Sequence, residues 1–473
     1  MPRVAKPGNA GCKPIAAGAD TSQTARTRVK NQVTRPLKPI PLQSPLGTNL
    51  ARAVGTVLPS RRAVLAVGVA SLVATRPAAA SDEPKLAGPA VFDEVWQTVQ
   101  QHFFDPRLNG LDWPAVRARH RPALLAAGSP DARAAVIKAM LAELHASHTE
   151  YLLPDQEAYH QLADIFLDLR RPDLRAFFPG GEVTYPGIGM LTQRDEQGRV
   201  FVSGVIDGQP AARAGVLVGD EIIAVDDAPF RPVDSFRGKV GATVTLSIRR
   251  AASGPVFGLS VVPQTLHPNE MFLRGMEASA RIIRGSQGAR IGYVHVWSYA
   301  GYAYQRVLER SIGTGILRNA DAPIWDLRDG WGGAVPEDLD VFDQRRPTVE
   351  LIGRNGGIRL EAVTWRKPVA MLINGGTRSG KEILAYGFKK YRVGQLIGTR
   401  TMGAVLAATV FMMHDGSMLL LAVDDVRVDS VRLEGVGVTP SIAVPFTVAY
   451  AAGADPQLAR AVEVLSATTP ATP

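Results

Sequence analysis

From Arg290 onward, short apolar runs alternate with stretches of helical spacing, and no other feature constrains the fold as much. "IGYVHVW" (291–297), "APIWDLR" (322–328), "VAMLIN" (369–374) and "GQLIGT" (394–399) read as strands, while 303–319 and 381–390 read as helices. Strands alternating with helices predict an α/β layer.

The chain before this region has a different character. "RVFVSGVI", "DEIIAVDDAPF", "ATVTLSIRR" and "FGLSVVP" are strand-like and "QPAARAG" is a short helix, so 183–265 reads as a β-rich module. Further upstream, "PAVFDEVWQTVQQHFF" (89–104) sets Val91, Val95 and Val99 on one helical face, and "DARAAVIKAMLAELHASH" (131–148) reads as a second helix. These define a helical region at 85–165. "RRPDLRAFFPGGEVTYP" (170–186) reads as a linker by composition, and 446–473 as a C-terminal tail. The 473 residues suffice for roughly two or three domains of ordinary size.

Net charge is +9, but the excess is local. Residues 1–80 hold 12 Lys and Arg and one acid, leaving 41 bases against 43 acids in the rest. That distribution argues against a nucleic-acid-binding core. The single cysteine is Cys12, so the core has no thiol for a disulfide, a nucleophile or a thiolate metal site. Residues 1–59 are rich in Pro, Thr and Ala without periodicity and read as disordered. "SRRAVL" (60–65) then places an arginine pair before "AVLAVGVASLVAT", too short for the about 20 residues of a membrane span, with "AAA" (78–80) as a small-residue cleavage site. This reads as a twin-arginine-type leader, and predicts an exported, periplasmic protein without a stable membrane span once the leader is removed.

"NGGTRSGKEILAYG" (374–387) holds a serine at a glycine-rich turn opening a helix, a common way to present a nucleophile. A serine hydroxyl is unreactive at neutral pH until a base takes its proton. Two bases stand as candidates for Ser379. His148 in "LHASHTEYL" has an ordinary pKa suited to the task. Lys381 is close in sequence, but residues two apart on a helix point to different sides, and it would need burial to lose its proton. His145 and His148 also read as H-x-x-H on one helix face. A zinc site needs at least three ligands, and nothing else has suggestive spacing, so neither metal nor cofactor is expected.

The module at 183–265 resembles a PDZ domain. "GIGM" (Gly187, Ile188, Gly189, Met190) stands where such domains bind a chain-terminal carboxylate, and strand, short helix, Gly-Asp turn and strand follow in the usual order. The segments "IGYVHVWSY", "PIWDLRDGWGG", "AMLINGGTRSGKEILAYGF", "LIGTRTMGA" and "LEGVGVTP" resemble the carboxyl-terminal processing (tail-specific) serine peptidases and their tricorn-core relatives. The resemblance covers about 85–445 and implies a crotonase-like α/β peptidase core at 285–445, with Ser379 at the nucleophile position and Glu382 at the nearby acid. Many members carry a lysine base where this chain has Ala404, so that Ser–Lys dyad is excluded here. The tricorn-like branch instead draws a Ser-His pair from the helical region, matching Ser147 and His148, with Glu434 as the acidic partner. The resemblance also makes Gly332 and Gly380 the oxyanion donors, with Gly333 next. It implies peptide or protein substrates held by the PDZ module and an active-site cleft. The rival expectation is a non-catalytic, PDZ-bearing peptide-binding adaptor.

Overall fold

A computed structural model of the chain describes residues 88–168, 172–347 and 349–468. The arginine pair and apolar run of the expected leader lie outside the described residues.

The helical region comprises α1 (Pro89–His102), α2 (Trp113–Ala126), α3 (Pro130–Ala142), β1 (Glu150–Leu152) and α4 (Glu157–Asp168). Val91, Val95 and Val99 are buried, together with Ile137, Met140 and Leu141 of α3. Ser129 caps α3, its hydroxyl accepting from Ala132 N at 3.1 Å. The expected helix at 131–148 is shorter than its apolar pattern. It stops at Ala142, and His145 and His148 both take positive φ, 47° and 51°. The two histidines therefore occupy a turn, which corrects the expectation that they share a helix face.

The β-rich module is an antiparallel sheet of β2 (Met190–Arg194), β3 (Val200–Val205), β4 (Glu221–Val225), β5 (Val244–Arg249) and β6 (Val256–Val261), in that spatial order, with α5 (Pro210–Arg213) between β3 and β4. β2 is an edge strand, its outer side open to a further strand. The module is joined to the core by the antiparallel pair Tyr185–Gly187 and Gln264–Leu266. Leu174, Phe178, Val183 and Tyr185, from the expected linker, are buried in the main core. Proline and glycine hid that packing, because they dominate the composition while the apolar residues between them do the burying.

The third part contains α6 (Pro268–Ser279), β7 (Arg281–Arg284), β8 (Arg290–His295), α7 (Tyr302–Gly313), β9 (Ala322–Asp326), β10 (Ala370–Ile373), α8 (Gly380–Lys390), β11 (Gln395–Gly398), β12 (Ala407–Met412), β13 (Met418–Asp424), β14 (Ile442–Ala443) and α9 (Pro456–Thr468). Its central sheet runs β7-β8-β9-β10-β11-β14, parallel except for β7. Alternate residues face opposite sides, as a strand's two-residue period dictates. Ile291, Ile324, Ala370 and Leu372 pack toward α9, whereas Val294, Trp325, Met371 and Ile373 pack with Leu384 and Phe388 of α8. The expected tail thus includes α9, whose Ala461 and Leu465 cover one face of the sheet.

One further connection matters for function. β12 and β13 form a hairpin, and β1 adds to it by pairing with β13. Leu406, Met413, Leu419 and Leu421 share a core with α1 and α3. This seats the turn carrying His148 against the peptidase-like core.

Candidate active site

β10 ends at Ile373, and six residues later the chain enters α8 through Ser379, which holds φ 57° and ψ −133°. Such a conformation costs a non-glycine residue on the order of 1–3 kcal/mol, so its surroundings must enforce it. Ser379 N donates to Ala404 O at 2.7 Å. Gly380 lies so close to Ala334 that a Cβ would meet its backbone O and N at 2.3 and 2.4 Å. The serine sits beyond the C-terminal ends of the parallel strands, where open α/β sheets bind ligands. Its Oγ lies 2.9 Å from the point a Gly332 Cβ would occupy, so it faces the glycine loop after β9. Neither Gly332 N nor Gly380 N has an acceptor among the described residues. The positive end of α8 reinforces the potential there.

The glycine loop is braced from below. Arg328 is buried between Asp326 and Asp455, at 2.6 and 2.7 Å. Burial alone would raise the Asp326 carboxyl, but Arg328 and His295 hold it below the usual carboxylate range. Trp331 Nε1 donates to Gln161 Oε1 of α4 at 2.7 Å. Lys381 is fully buried and its Nζ donates to Asp329 O at 2.8 Å. Burial pushes this ammonium down to about 7 against the pull of Asp329 and Asp326. Lys381 thus has the burial that a base would need, but its ammonium is engaged with the glycine loop. Glu382 is bound to backbone: its carboxylate accepts from Thr401 Oγ1, Gly403 N and Ala404 N at 2.5–2.7 Å. It thereby fixes the loop whose Ala404 carbonyl holds Ser379.

On the other side of that loop is a chamber of about 330 Å³ lined by His145, Ser147, His148, Glu150, Arg378 and Glu434. Glu434 Oε2 accepts from Ser147 Oγ at 2.9 Å, and Oε1 from Ser147 N at 2.9 Å. Val405 N also donates to Oε2 at 2.8 Å. Ser147 Oγ stands 3.1 Å from His148 Nδ1. The hydroxyl proton is directed to the carboxylate, so Nδ1 is the N–H that donates to Ser147, and Nε2 keeps its lone pair. The acid therefore reaches the imidazole through Ser147. Burial, with the Arg378 charge beside it, pushes His148 down to about 4 despite Glu434. Among the described residues Ser379 Oγ makes no hydrogen bond, and none joins it to His148.

The predicted residues therefore fall into two groups, Ser379–Gly380–Gly332 and His148–Ser147–Glu434, meeting across Arg378 and Ala404. In the β-rich module, Gly189 takes φ 74° and its Cβ position is filled by Gln209. Ile188 and Met190 point into the module's core, and Ile188 O accepts from Ala211 N at 2.8 Å. Next in the chain, Leu191, Thr192 and Gln193 of edge strand β2 line a cleft of about 640 Å³ together with Trp331, Asn374 and Arg378. Missing from the sequence reading were Arg378 and Asp455. Arg378 stands beside the nucleophile, and that adjacency could have flagged it.

Residues 290–444 match the peptidase family S41 model, 88–142 the tricorn protease C1 domain and 201–250 the PDZ domain. The chain thus carries a peptidase family S41 domain. This S41 chain is a serine-type peptidase of the carboxyl-terminal processing kind with a PDZ domain. Carboxyl-terminal-processing peptidase 2, chloroplastic, of Arabidopsis thaliana is 29% identical over 378 residues, covering 75% of this chain and 68% of the relative. A putative tricorn protease homolog 2 of Streptomyces coelicolor is 27% identical over 410 residues, 81% of this chain and 33% of that much longer protein. A solved structure titled photosystem II D1 C-terminal processing protease has a TM-score of 0.45 at 21% identity, over 78% of this chain and 97% of that one. Among the described residues no helix is long and apolar enough to cross a membrane.

Proposed function

We propose that this S41 peptidase hydrolyses peptide bonds near protein C-termini through Ser379, with His148 as its base. The hydrogen-bonded series Glu434–Ser147–His148 beside the strained serine carries the reading. Ser379 Oγ attacks the scissile carbonyl as its proton passes to His148 Nε2. The oxyanion that forms is received by the N–H groups of Gly332 and Gly380. His148 then protonates the leaving amine as the C–N bond breaks, and water, activated by the same imidazole, releases the acyl fragment. Ser147 and Glu434 hold the Nδ1–H tautomer and stabilise the imidazolium. Closure by a bound substrate brings nucleophile and base into contact, since such bonds are often long in empty sites.

The PDZ domain supplies recognition. A substrate tail adding to the open edge of β2, with its carboxylate at Gly187–Met190, runs along the wall of the cleft. Export through the arginine pair at 61–62 belongs to the same proposal. A fluorophosphonate serine probe tests the chemistry: wild type is labelled at Ser379 and trims peptides, and Ser379→Ala does neither. A wild type that binds tails but takes no label would make the chain the peptide-binding adaptor instead.

A further inference from the structure

Arg378 presents a problem that the mechanism leaves unsolved. Its Nε is fully buried and has no hydrogen-bond partner. Among the described residues its guanidinium forms no ion pair, and its one close partner is the Trp331 ring, 4.4 Å from the guanidinium carbon. The carboxylates whose charge it feels are those of Glu150, Asp329 and Glu382. Asp329 is bound to Asn374 Nδ2 at 3.1 Å, and Glu382 is filled by the 401–404 loop. Glu150 is exposed and stands outside ion-pair distance. Arg378 is half-buried, and a guanidinium nitrogen sealed from water without a partner is costly and rare in a well-built site. The side chain borders both the His148 chamber and the β2 cleft, so the charge is open to what enters them. Glu157, another carboxyl on the cleft wall, is pushed up to about 8 by burial and carries little charge at neutral pH to repel an anion.

We propose that Arg378 receives a carboxylate of the substrate's leaving fragment, in the chamber it shares with His148, and so selects which peptides are cut. The side of the scissile bond rests on the peptidase reading: His148 protonates the leaving amine, so the fragment beyond that amine occupies the chamber around it. An arginine suits the task because its planar fork matches a carboxylate's two oxygens. The chamber's 330 Å³ is at the small end for ligand pockets, so the anion belongs to the first one or two residues past the cut. Its source is either the chain terminus of a short leaving fragment or an acidic side chain.

Calorimetric titration of full-length Ser379→Ala separates these sources without needing catalysis. Three probes are used: acetyl-Ala-Ala acid, acetyl-Asp-Ala amide and acetyl-Ala-Ala amide. All are too short to extend along the PDZ edge strand. One or both carboxylate probes should bind at least about 10-fold tighter than the neutral amide, and which one does identifies the source. Adding Arg378→Met should abolish the difference. Arg378→Lys, which keeps the charge but loses the fork, should retain part of it, and it stands in for the Met variant if that fails to fold. Equal binding of all three probes, or a preference that survives Arg378→Met, overturns the proposal. Failure of the peptidase reading would show separately, as absent probe labelling of wild-type Ser379 with this binding intact. In active enzyme the same preference should appear as a lower KM for the carboxylate-bearing peptide than for its neutral counterpart, a difference that Arg378→Met removes.

Discussion

Two arginines flank the nucleophile, Arg328 buried and Arg378 half-buried, and their surroundings are opposite. Arg328 gives Nε and Nη2 to Asp326 at 2.6–3.1 Å, and Nη1 and Nη2 to Asp455 and Gln457 at 2.7–3.1 Å. Arg378 gives nothing to any acceptor among the described residues. The first is a closed network whose work is to hold the glycine loop in place. The second is open, and its missing partner must come from outside the chain. A satisfied buried charge thus reads as architecture, and an unsatisfied charge beside a nucleophile as recognition.

The largest effect that would sharpen this contrast lies in the chemistry. Ser379→Ala and His148→Ala should each lower kcat by about 10⁴-fold or more, because nucleophile and base act as a unit and their losses do not add. Thermal melts of both should stay close to wild type. Lys381→Met should retain activity if the variant folds, since its ammonium serves the Asp329 carbonyl. If Lys381→Met folds and is dead while His148→Ala stays active, the base assignment is reversed. Glu434→Gln should cost less, about 10²- to 10⁴-fold. It keeps one acceptor oxygen, turns the other into an amide donor facing the N–H or O–H groups of Ser147 and Val405, and removes the charge behind the imidazolium; steady-state kinetics on one peptide measures it.

Stability should show the opposite ranking. Asp326→Ala strands Arg328 between fewer partners and should destabilise the fold by about 3–5 kcal/mol, read as a lower midpoint in urea. Arg378→Met breaks no pair and fills the space with apolar volume, so its midpoint should hold or rise. A large loss of stability in Arg378→Met would erase the distinction between the two arginines.

How far the sequence alone carried this argument differs between the same two regions. The alternation after Arg290 reported the sheet because burial on both faces writes itself as apolar runs. Ser147, His148 and Glu434 were legible through short motifs, although 287 positions separate Ser147 from Glu434. Their exact linkage was not, since which of two neighbouring groups takes the carboxylate depends on a turn with positive φ at His148. Asp455 was illegible: a lone acid in a Pro- and Ala-rich segment gives no hint that it crosses to Arg328. Arg378 was visible but silent, because the sequence shows a charge and not the absence of its partner.

The smallest effect tests the coupling between the two halves of the site. His148 must be neutral to act as a base. Its ordinary pKa is near 6.5, and burial and Arg378 push it down to about 4 while Glu434 pulls the other way. The other titratable groups lining its chamber are His145 and Glu150. A lowered histidine pKa keeps the base form available in acid, so kcat/KM should fall as pH drops through about 4, well below the neutral range that a free imidazole predicts. The folded state loses stability over the same window, starting below about 6.5, because the unfolded histidine binds its proton first. Arg378→Met removes the cation and should move the acid limb of kcat/KM upward. A carboxylate bound to Arg378 partly cancels the same charge, so in wild type the limb of kcat should lie above that of kcat/KM for peptides that carry it, and the two should coincide for neutral ones. Acid limbs that ignore both Arg378→Met and the substrate's charge would mean the arginine and the base do not sense each other.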